Sequence, residues 1–413
     1  MWNVIGRGLV AQFQKEGSQT MNNFIFHIPT TVCFGEDSLK HIGDKVGSLG
    51  NRVMVVHGKT SVVKSGLFQR VVDALTQSGC IVFDGGGVPP NPSYTTVKKI
   101  VAIAKENNVN CLLAVGGGSV IDTSKAVASC MLTSNYSGFW QQHFEQFVPI
   151  TQALPLAVVL TIPASGSETS NACVISDEHT GIKRIASGPA IIPAVSLLDP
   201  TNTFSLPGYQ TACGCSDILS HLHERYFDSS TDNLYTDRLL EASITHILEI
   251  SPRVLSNPKD YQLRSEVMWL GTLAHSQVLD RGREGGDWAC HMIEHALSGF
   301  YEIPHGAGLS IITPAWMRYV APMHKEKFMQ YAQRIWNIEL LPNEFEKRLE
   351  IMINALKNFY RTLGLPVKLK EVGVQREHLK KIAEAATSPS FPIGGMQPLQ
   401  ISDVLEILHI AWE

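Results

Sequence analysis

Three histidines, His291, His295 and His305, lie in one short stretch of apolar residues and helix formers, DWACHMIEHALSGFYEIPHGAG. Residues four apart share a helix face, so His291 and His295 present two imidazoles to one side. Two chemistries use such a pair. His291 to His295 spells H-x-x-E-H, in which both histidines hold zinc and Glu294 is the base of a peptidase. Alternatively one of the two ligates a metal together with His305 and residues from elsewhere. The bland reading, histidines with no metal at all, applies to any one of the fifteen that the chain carries.

The stretch TACGCSDILSHLHERYF supplies further donors. Asp217 and His221 stand four apart, a carboxylate and an imidazole on one helix face. His223 points about 160° away from His221 around the same helix and is expected to be solvated. Asp217, His221, His291 and His305 make a set of neutral nitrogens and one carboxylate. That set suits Fe(II) or Zn(II) better than Mg(II) or Ca(II), and the lack of thiolate argues against a structural zinc site.

A second group of residues suits phosphate and sugar. CLLAVGGGSVIDTSK runs from an apolar strand through Gly116, Gly117 and Gly118 into a helix that opens with Ser119 and carries Asp122. Glycines let backbone approach a phosphate, and the free N–H groups of a helix start hold the anion. The spacing is not G-x-G-x-x-G, so the standard dinucleotide fingerprint is absent. In VVLTIPASGSETSNACVIS, Thr161, Ser165, Ser167 and Thr169 offer hydroxyls that bond phosphate, ribose or carboxamide without adding charge. Two such loops leaving a parallel sheet predict a dinucleotide at the carboxyl ends of the strands. An acid at the end of RVMVVHGKTS would accept hydrogen bonds from the adenosine ribose and repel a 2′-phosphate. None is there. Gly58, Lys59, Thr60 and Ser61, with Lys64 nearby, favour NADP(H) over NAD(H).

The elements that must position these residues follow from periodicity. From Asn22 to Pro200, short β-branched runs such as RVMVVHG, IVFDGG, CLLAVGGGS, PLAVVLTIP and AVSLLDP alternate with amphipathic segments, the pattern of a parallel sheet covered by helices. After Pro207 strand signals nearly vanish and long helical patterns take over, as in LYTDRLLEASITHILEISPRVL and YQLRSEVMWLGTLAHSQVL. The expected organisation is an N-terminal extension over residues 1–21, a Rossmann-like α/β dinucleotide-binding domain over 22–205, and an all-helical metal-binding domain over 206–413.

Length and composition agree. A chain of 413 residues exceeds the size of one core, and 44% hydrophobic with 17% charged residues and a net charge of −4 gives no basic surface for nucleic acid. No run of about eighteen apolar residues predicts a membrane span. The eight cysteines are scattered without a C-x-x-C pair, which reads as reduced thiols in a cytoplasmic protein. The first twenty residues hold two bases and one acid and precede a second methionine, Met21; they read as an extension, with a targeting peptide as the alternative.

GGGSVIDTSK, TIPASGSETS, GCSDILSHLHERY and DWACHMIEHALSGFYEIPHGAGLSIITPAWMRY occur in this order. With them the chain resembles the iron-containing, metal-dependent alcohol dehydrogenases, and more narrowly their butanol dehydrogenase-like branch, from Asn22 to Glu413. The resemblance implies a dehydroquinate synthase-like architecture and interconversion of primary alcohols and aldehydes by hydride transfer. It implies one divalent metal, Fe(II) favoured and Zn(II) the alternative, on Asp217, His221, His291 and His305. His295 then lies near the nicotinamide as a proton relay and does not ligate. Gly117, Gly118, Ser119 and Asp122 fall on the pyrophosphate loop, Thr161 and Ser165 on the hydroxyl cluster, and Lys183 on the cofactor ribose. Gly58, Lys59, Ser61, Asn91 and Ser205 complete the expected cofactor contacts. HGKTS departs from the glycine run or aspartate usual in the branch, and Ser165 replaces a threonine while keeping its hydroxyl. A homodimer acting on a small alcohol or aldehyde is expected. A glycerol dehydrogenase- or dehydroquinate synthase-like relative is the alternative on this fold, and the H-x-x-E-H peptidase a remote one.

Overall fold

The structure is a computed structural model that describes residues 21–413 apart from 134–137, 179–182, 231–232, 340 and 388–390. Residues 1–20 of the expected extension lie outside the described residues. Contacts divide the chain into two compact units.

The first unit comprises His27–Leu206 and Pro258–Ser276. Its strands are β1 (Thr31–Phe34), β2 (Arg52–Gly58), β3 (Ile81–Val88), β4 (Cys111–Gly116), β5 (Leu156–Leu160), β6 (Ala172–Ser176), β7 (Lys183–Ser187) and β8 (Val195–Leu198). Six of them form a parallel sheet in the order β1-β8-β5-β4-β2-β3, while β6 and β7 pair antiparallel as a hairpin. β4, β5 and β8 are buried along their whole length, as expected for apolar strands covered on both faces.

The period of two divides the core. Met54, Val56, Leu112, Ala114, Val158 and Leu160 point to one face; Val53, Val55, Cys111, Leu113, Val115, Ala157 and Val159 point to the other. Helix α1 (Leu67–Gln77) covers the second face with Val71 and Leu75, and α2 (Tyr94–Glu106) and α3 (Gly118–Leu132) cover the first.

The second unit contains Pro207–Asn257 and Gln277–Glu413. Its helices include α4 (Gly208–Tyr226), α5 (Leu234–Ser256) and, after an excursion of the chain into the first unit as α6 (Tyr261–His275), α7 (Ala289–Tyr301), α8 (His305–Val320), α9 (Lys325–Trp336), α10 (Phe345–Thr362), α11 (Leu379–Ala386) and α12 (Ile401–Trp412). Every residue of α4 from Thr211 to Tyr226 is buried, so this helix is enclosed by its neighbours on all sides. The packing against α8 is close, since a Cβ on Gly306 would lie 2.0 Å from the Cys213 carbonyl oxygen. Only glycine allows that approach.

Contacts group α6, which lies within the span 206–413 expected to be helical, with the sheet unit. Met268 joins the core beneath the sheet, Trp269 meets Phe34 edge to face at 6.0 Å, and Thr272 Oγ1 donates to Glu168 Oε1 at 2.6 Å. Gly166, at φ +59°, leaves room for the helix, since a Cβ there would lie 2.5 Å from that of His275. Helical periodicity shows that α6 has an apolar face; it does not encode which body that face covers.

Candidate active site

Three helices of the second unit bring the expected metal ligands together. α4 carries Asp217 and His221 on one face. α7 carries His291 and starts after Gly285 and Gly286, at φ +100° and +91°, and after Trp288 in the left-handed region at φ +65°. α8 starts at His305 behind Pro304, and Ser216 Oγ on α4 donates to the Gly306 carbonyl at 2.7 Å, which pins His305 beside Asp217.

Asp217 Oδ1 lies 3.5 Å from His221 Nδ1, 3.7 Å from His291 Nε2 and 3.6 Å from His305 Nε2. These separations approach the edge of a tetrahedron with metal–ligand bonds of about 2.1 Å, roughly 3.4 Å. The donors of Asp217, His291 and His305 all fall within 4.8 Å of one another. His221 stands against this triad, its ring stacked on that of His291 at 4.6 Å. Asp217 Oδ1 and His291 Nε2 are buried and accept or donate no hydrogen bond. A buried carboxylate oxygen without a partner is costly. Facing imidazole nitrogens, it fits a divalent cation of the Fe(II) or Zn(II) type.

Two glutamates orient the rings. Glu224 Oε1 accepts from His291 Nδ1 at 2.9 Å and from the His291 backbone N–H at 3.0 Å. Glu294, fully buried, accepts from His305 Nδ1 through one oxygen and from the Ser298 hydroxyl through the other. Gly308 makes room for it, since a Cβ there would lie 2.6 Å from Glu294 Cγ. Each glutamate fixes a tautomer that leaves Nε2 facing Asp217. Burial alone would lower the pKa of His291; the hydrogen bond to Glu224 and the charges of Glu224 and Asp217 outweigh it and raise it to about 9. The cluster therefore attracts positive charge. Glu224 was not among the expected site residues, and Glu294 was expected only as the base of the peptidase alternative. The available signal was that both stand within a turn of an expected ligand on a helix that also carries one.

His295 is half-buried, its ring 6.4 Å from that of His291 and stacked on that of His305 at 5.3 Å. Glu294, His295 and His305 form a second group of converging donors; among the described residues no such group holds both His291 and His295. Glu294 is enclosed and engaged, not poised as a base, and the peptidase reading ends there. His223 departs from expectation: it is buried rather than solvated, bonded through Nε2 to the Tyr331 hydroxyl at 2.8 Å, and burial lowers its pKa to about 3.

The expected nucleotide residues lie in the first unit. Gly116, Gly117 and Gly118 carry β4 into α3, and none of the three needs a left-handed backbone. Close approach explains them: a Cβ would meet Val120 at 2.6 Å, Ile162 at 2.9 Å and Ser165 Oγ at 2.7 Å, respectively. Ser119, half-buried, donates its hydroxyl to the Pro90 carbonyl, beside half-buried Asn91. Thr161 follows β5, its N–H bonded to the Gly116 carbonyl at 3.0 Å, and the Ser165 carbonyl accepts from His275 Nδ1 at 2.6 Å. Two residues of this region face inward. Ser167 is buried and donates to Asp122 Oδ1 at 2.6 Å, and Asp122 Oδ2 accepts from the Val174 N–H at 2.9 Å. Gly58 ends β2 at a register shift, with Lys59 and Ser61 exposed beyond it. Lys183 opens β7, half-buried, and Ser205 lies in an exposed turn.

The model of the iron-containing alcohol dehydrogenases matches residues 29–200, and that of the C-terminal region of the same family matches residues 211–412. The chain belongs to the iron-containing alcohol dehydrogenase family. NADH-dependent butanol dehydrogenase A of Clostridium acetobutylicum is 37% identical over 94% of this chain and 99% of its own length. The NADPH-dependent aldehyde reductase YqhD of Escherichia coli is 34% identical over 88% of this chain and 94% of its own. The crystal structure of NADH-dependent butanol dehydrogenase A from Thermotoga maritima superposes with a TM-score of 0.90 at 37% identity, covering 95% of this chain and 99% of that one. As a member of this family the chain is an oxidoreductase that interconverts alcohols and aldehydes with a nicotinamide dinucleotide and a metal. No described helix is long and apolar enough to cross a membrane.

Proposed function

We propose that this family member reduces short to medium aldehydes of the butanal type to primary alcohols, and runs the reverse reaction, with Asp217, His221, His291 and His305 holding Fe(II) in preference to Zn(II). One observation carries the reading: the unpartnered Asp217 Oδ1, within 3.7 Å of a nitrogen of each of three imidazoles. When bound, the cation supplies Lewis-acid polarisation of the substrate oxygen and the nicotinamide carries the hydride. The chain's own residues set the geometry. Glu224 and Glu294 lock the rings of His291 and His305, so no reorganisation of ligands accompanies the reaction. His295, one turn from His291 and outside the triad around Asp217, exchanges the proton of the alcohol oxygen.

Gly117, Gly118, Ser119, Thr161, Ser165 and Lys183 receive the dinucleotide, with Asn91 and Ser205 at its margin. The open Gly58-Lys59-Thr60-Ser61 turn favours NADP(H) over NAD(H). The test is butanal-dependent oxidation of NADPH and of NADH by metal-stripped protein with Fe(II) or Zn(II) restored. Turnover that needs the metal is the expected result, faster with Fe(II) and with NADPH. Undiminished turnover by stripped protein would sink the ligand assignment.

The assembly we propose is a homodimer in the cytoplasm. Phe24, Ile25, Phe26 and Ile28 are 49%, 86%, 49% and 44% exposed just ahead of β1, which ends the strand order of the sheet. Exposed apolar side chains, like the open edge of a sheet, are features that a second copy covers. All eight cysteines are free, as a reducing compartment keeps them. Sedimentation should return the mass of two chains, and the mass of one would refute the dimer.

A further inference from the structure

α3 carries a fully buried lysine, Lys125, one turn beyond Asp122. An ammonium is held in a protein interior only where acceptors replace its water, so its partners show what it is kept for. Lys125 Nζ donates to Ser167 Oγ at 2.9 Å, to Ser170 Oγ at 3.1 Å, and to the carbonyls of Ser170 and Ala172, each at 2.8 Å. All four acceptors belong to the segment between β5 and the start of β6. Asp122 grips the same segment from the same helix, through Ser167 Oγ and the Val174 N–H.

We propose that Lys125 is a positioning residue for the dinucleotide, locking the hydroxyl-bearing loop 161–170 onto the helix whose start receives the pyrophosphate. The inference rests on the reading that these two loops receive the cofactor. Three features give it force. The loop also touches the start of α3, where Gly118 leaves only 2.7 Å between a Cβ and Ser165 Oγ, so fixing Ser167 and Ser170 on the body of the helix fixes Ser165 beside its start. The loop is rich in glycine and serine and includes Gly166 at φ +59°, a composition with many conformations of its own. Finally, the cluster is charge-compensated in place: burial lowers the pKa of Lys125 to about 8 against the pull of Asp122, Cys173 and Glu168, and burial raises that of Glu168 against its hydrogen bond from Thr272 and the charge of Lys125. Lys125 touches neither cofactor nor substrate. It acts by ordering the loop during folding, so that the ordering cost does not fall on nucleotide binding.

The test is Lys125→Met, which keeps the stem and removes the ammonium, with Ser170→Ala as a milder variant that deletes one acceptor. Lys125→Met should raise KM for the reduced nucleotide about tenfold or more, since loss of preorganisation weakens binding, while kcat at saturating nucleotide stays within about threefold. Metal content and aldehyde KM should be unchanged. Ser170→Ala should raise the nucleotide KM about two- to threefold at unchanged Tm, the loss of one of several hydrogen bonds. A folded Lys125→Met with wild-type nucleotide KM overturns the proposal, and so does one in which kcat, metal and nucleotide binding fall together. If Lys125→Met does not fold, an unchanged nucleotide KM in Ser170→Ala overturns it. Ser165→Ala separates this failure from that of the underlying reading. If it raises the nucleotide KM while Lys125→Met does not, the loops bind the cofactor without needing the lysine; if neither variant moves it, the loop assignment itself is wrong.

Discussion

His291→Ala will fold, bind dinucleotide and be purified with little metal, and its butanal reduction will fall by about 1,000-fold or more, as expected when some 4 kcal/mol of electrostatic stabilisation is removed. His291 Nε2 is buried in the cluster without a hydrogen bond, and Glu224 holds its ring on the far side. Removing the ring leaves Asp217 Oδ1 with two imidazoles and a cavity where the third donor stood. The same substitution one turn on gives a different result. His295→Ala will keep its metal and lose about 100-fold in kcat, the usual worth of a positioned proton donor. Metal content per chain after gel filtration, read beside kcat, separates the two. Metal loss in His295→Ala with retention in His291→Ala would reverse the ligand assignment and revive the group formed by Glu294, His295 and His305.

That contrast marks where sequence reading stops. The sequence shows that His291 and His295 share a helix face, and it cannot show which of them meets Asp217, because that depends on how α7 lies on α4. Gly286, just ahead of α7, sets part of this packing, since a Cβ there would lie 2.7 Å from the Glu224 carbonyl oxygen, and in the sequence it is one glycine among thirty-three. The parallel sheet was legible because VMVV, LLAV and AVVL are continuous apolar runs between turn signals, the mark of strands buried on both faces. The hairpin of β6 and β7 was not. ACVIS and KRIAS are short and partly exposed, and the hairpin's anchorage comes from Asp122 and Lys125 on a distant helix.

Polar residues were the hardest to assign, for a common reason. A hydroxyl or carboxylate near a glycine-rich turn looks equally suited to a ligand and to the chain itself. Ser165 sits beside the start of α3, whereas Ser167, two residues on, is spent on Asp122 and Lys125. His223 likewise reads as a surface residue by its angle on the helix, yet α9 brings Tyr331 to cover it. Glu224 and Glu294 gain their meaning only from the rings they hold.

Cofactor choice gives the other large effect. Gly58→Asp will lower the ratio of kcat/KM with NADPH to that with NADH by about 100-fold, because a carboxylate at the end of β2 accepts the ribose 2′-hydroxyl and repels a 2′-phosphate at a cost of several kcal/mol. The site can take the side chain. Gly58 does not have a left-handed backbone, and the nearest atom to a Cβ there is the Val88 carbonyl oxygen at 4.0 Å. The neighbouring strand already carries an acid. Asp84 on β3 is 64% exposed at its side chain, but its Oδ1 accepts from the Gly86 N–H at 2.8 Å and lies 3.0 Å from His57 Nε2. Those bonds engage that oxygen with the backbone of β3 and the His57 ring rather than leaving it to accept from a ribose. Asp84→Asn is therefore expected to leave the NADPH to NADH ratio within about threefold, while Gly58→Asp moves it, as the position of the like charge requires. Relatives of both preferences stand at similar distance from this chain, so the ratio in the unaltered enzyme is the deciding baseline. A wild type that prefers NADH, with Asp84→Asn as the substitution that shifts it, would place the reading of the ribose on β3 and end the case for NADP(H).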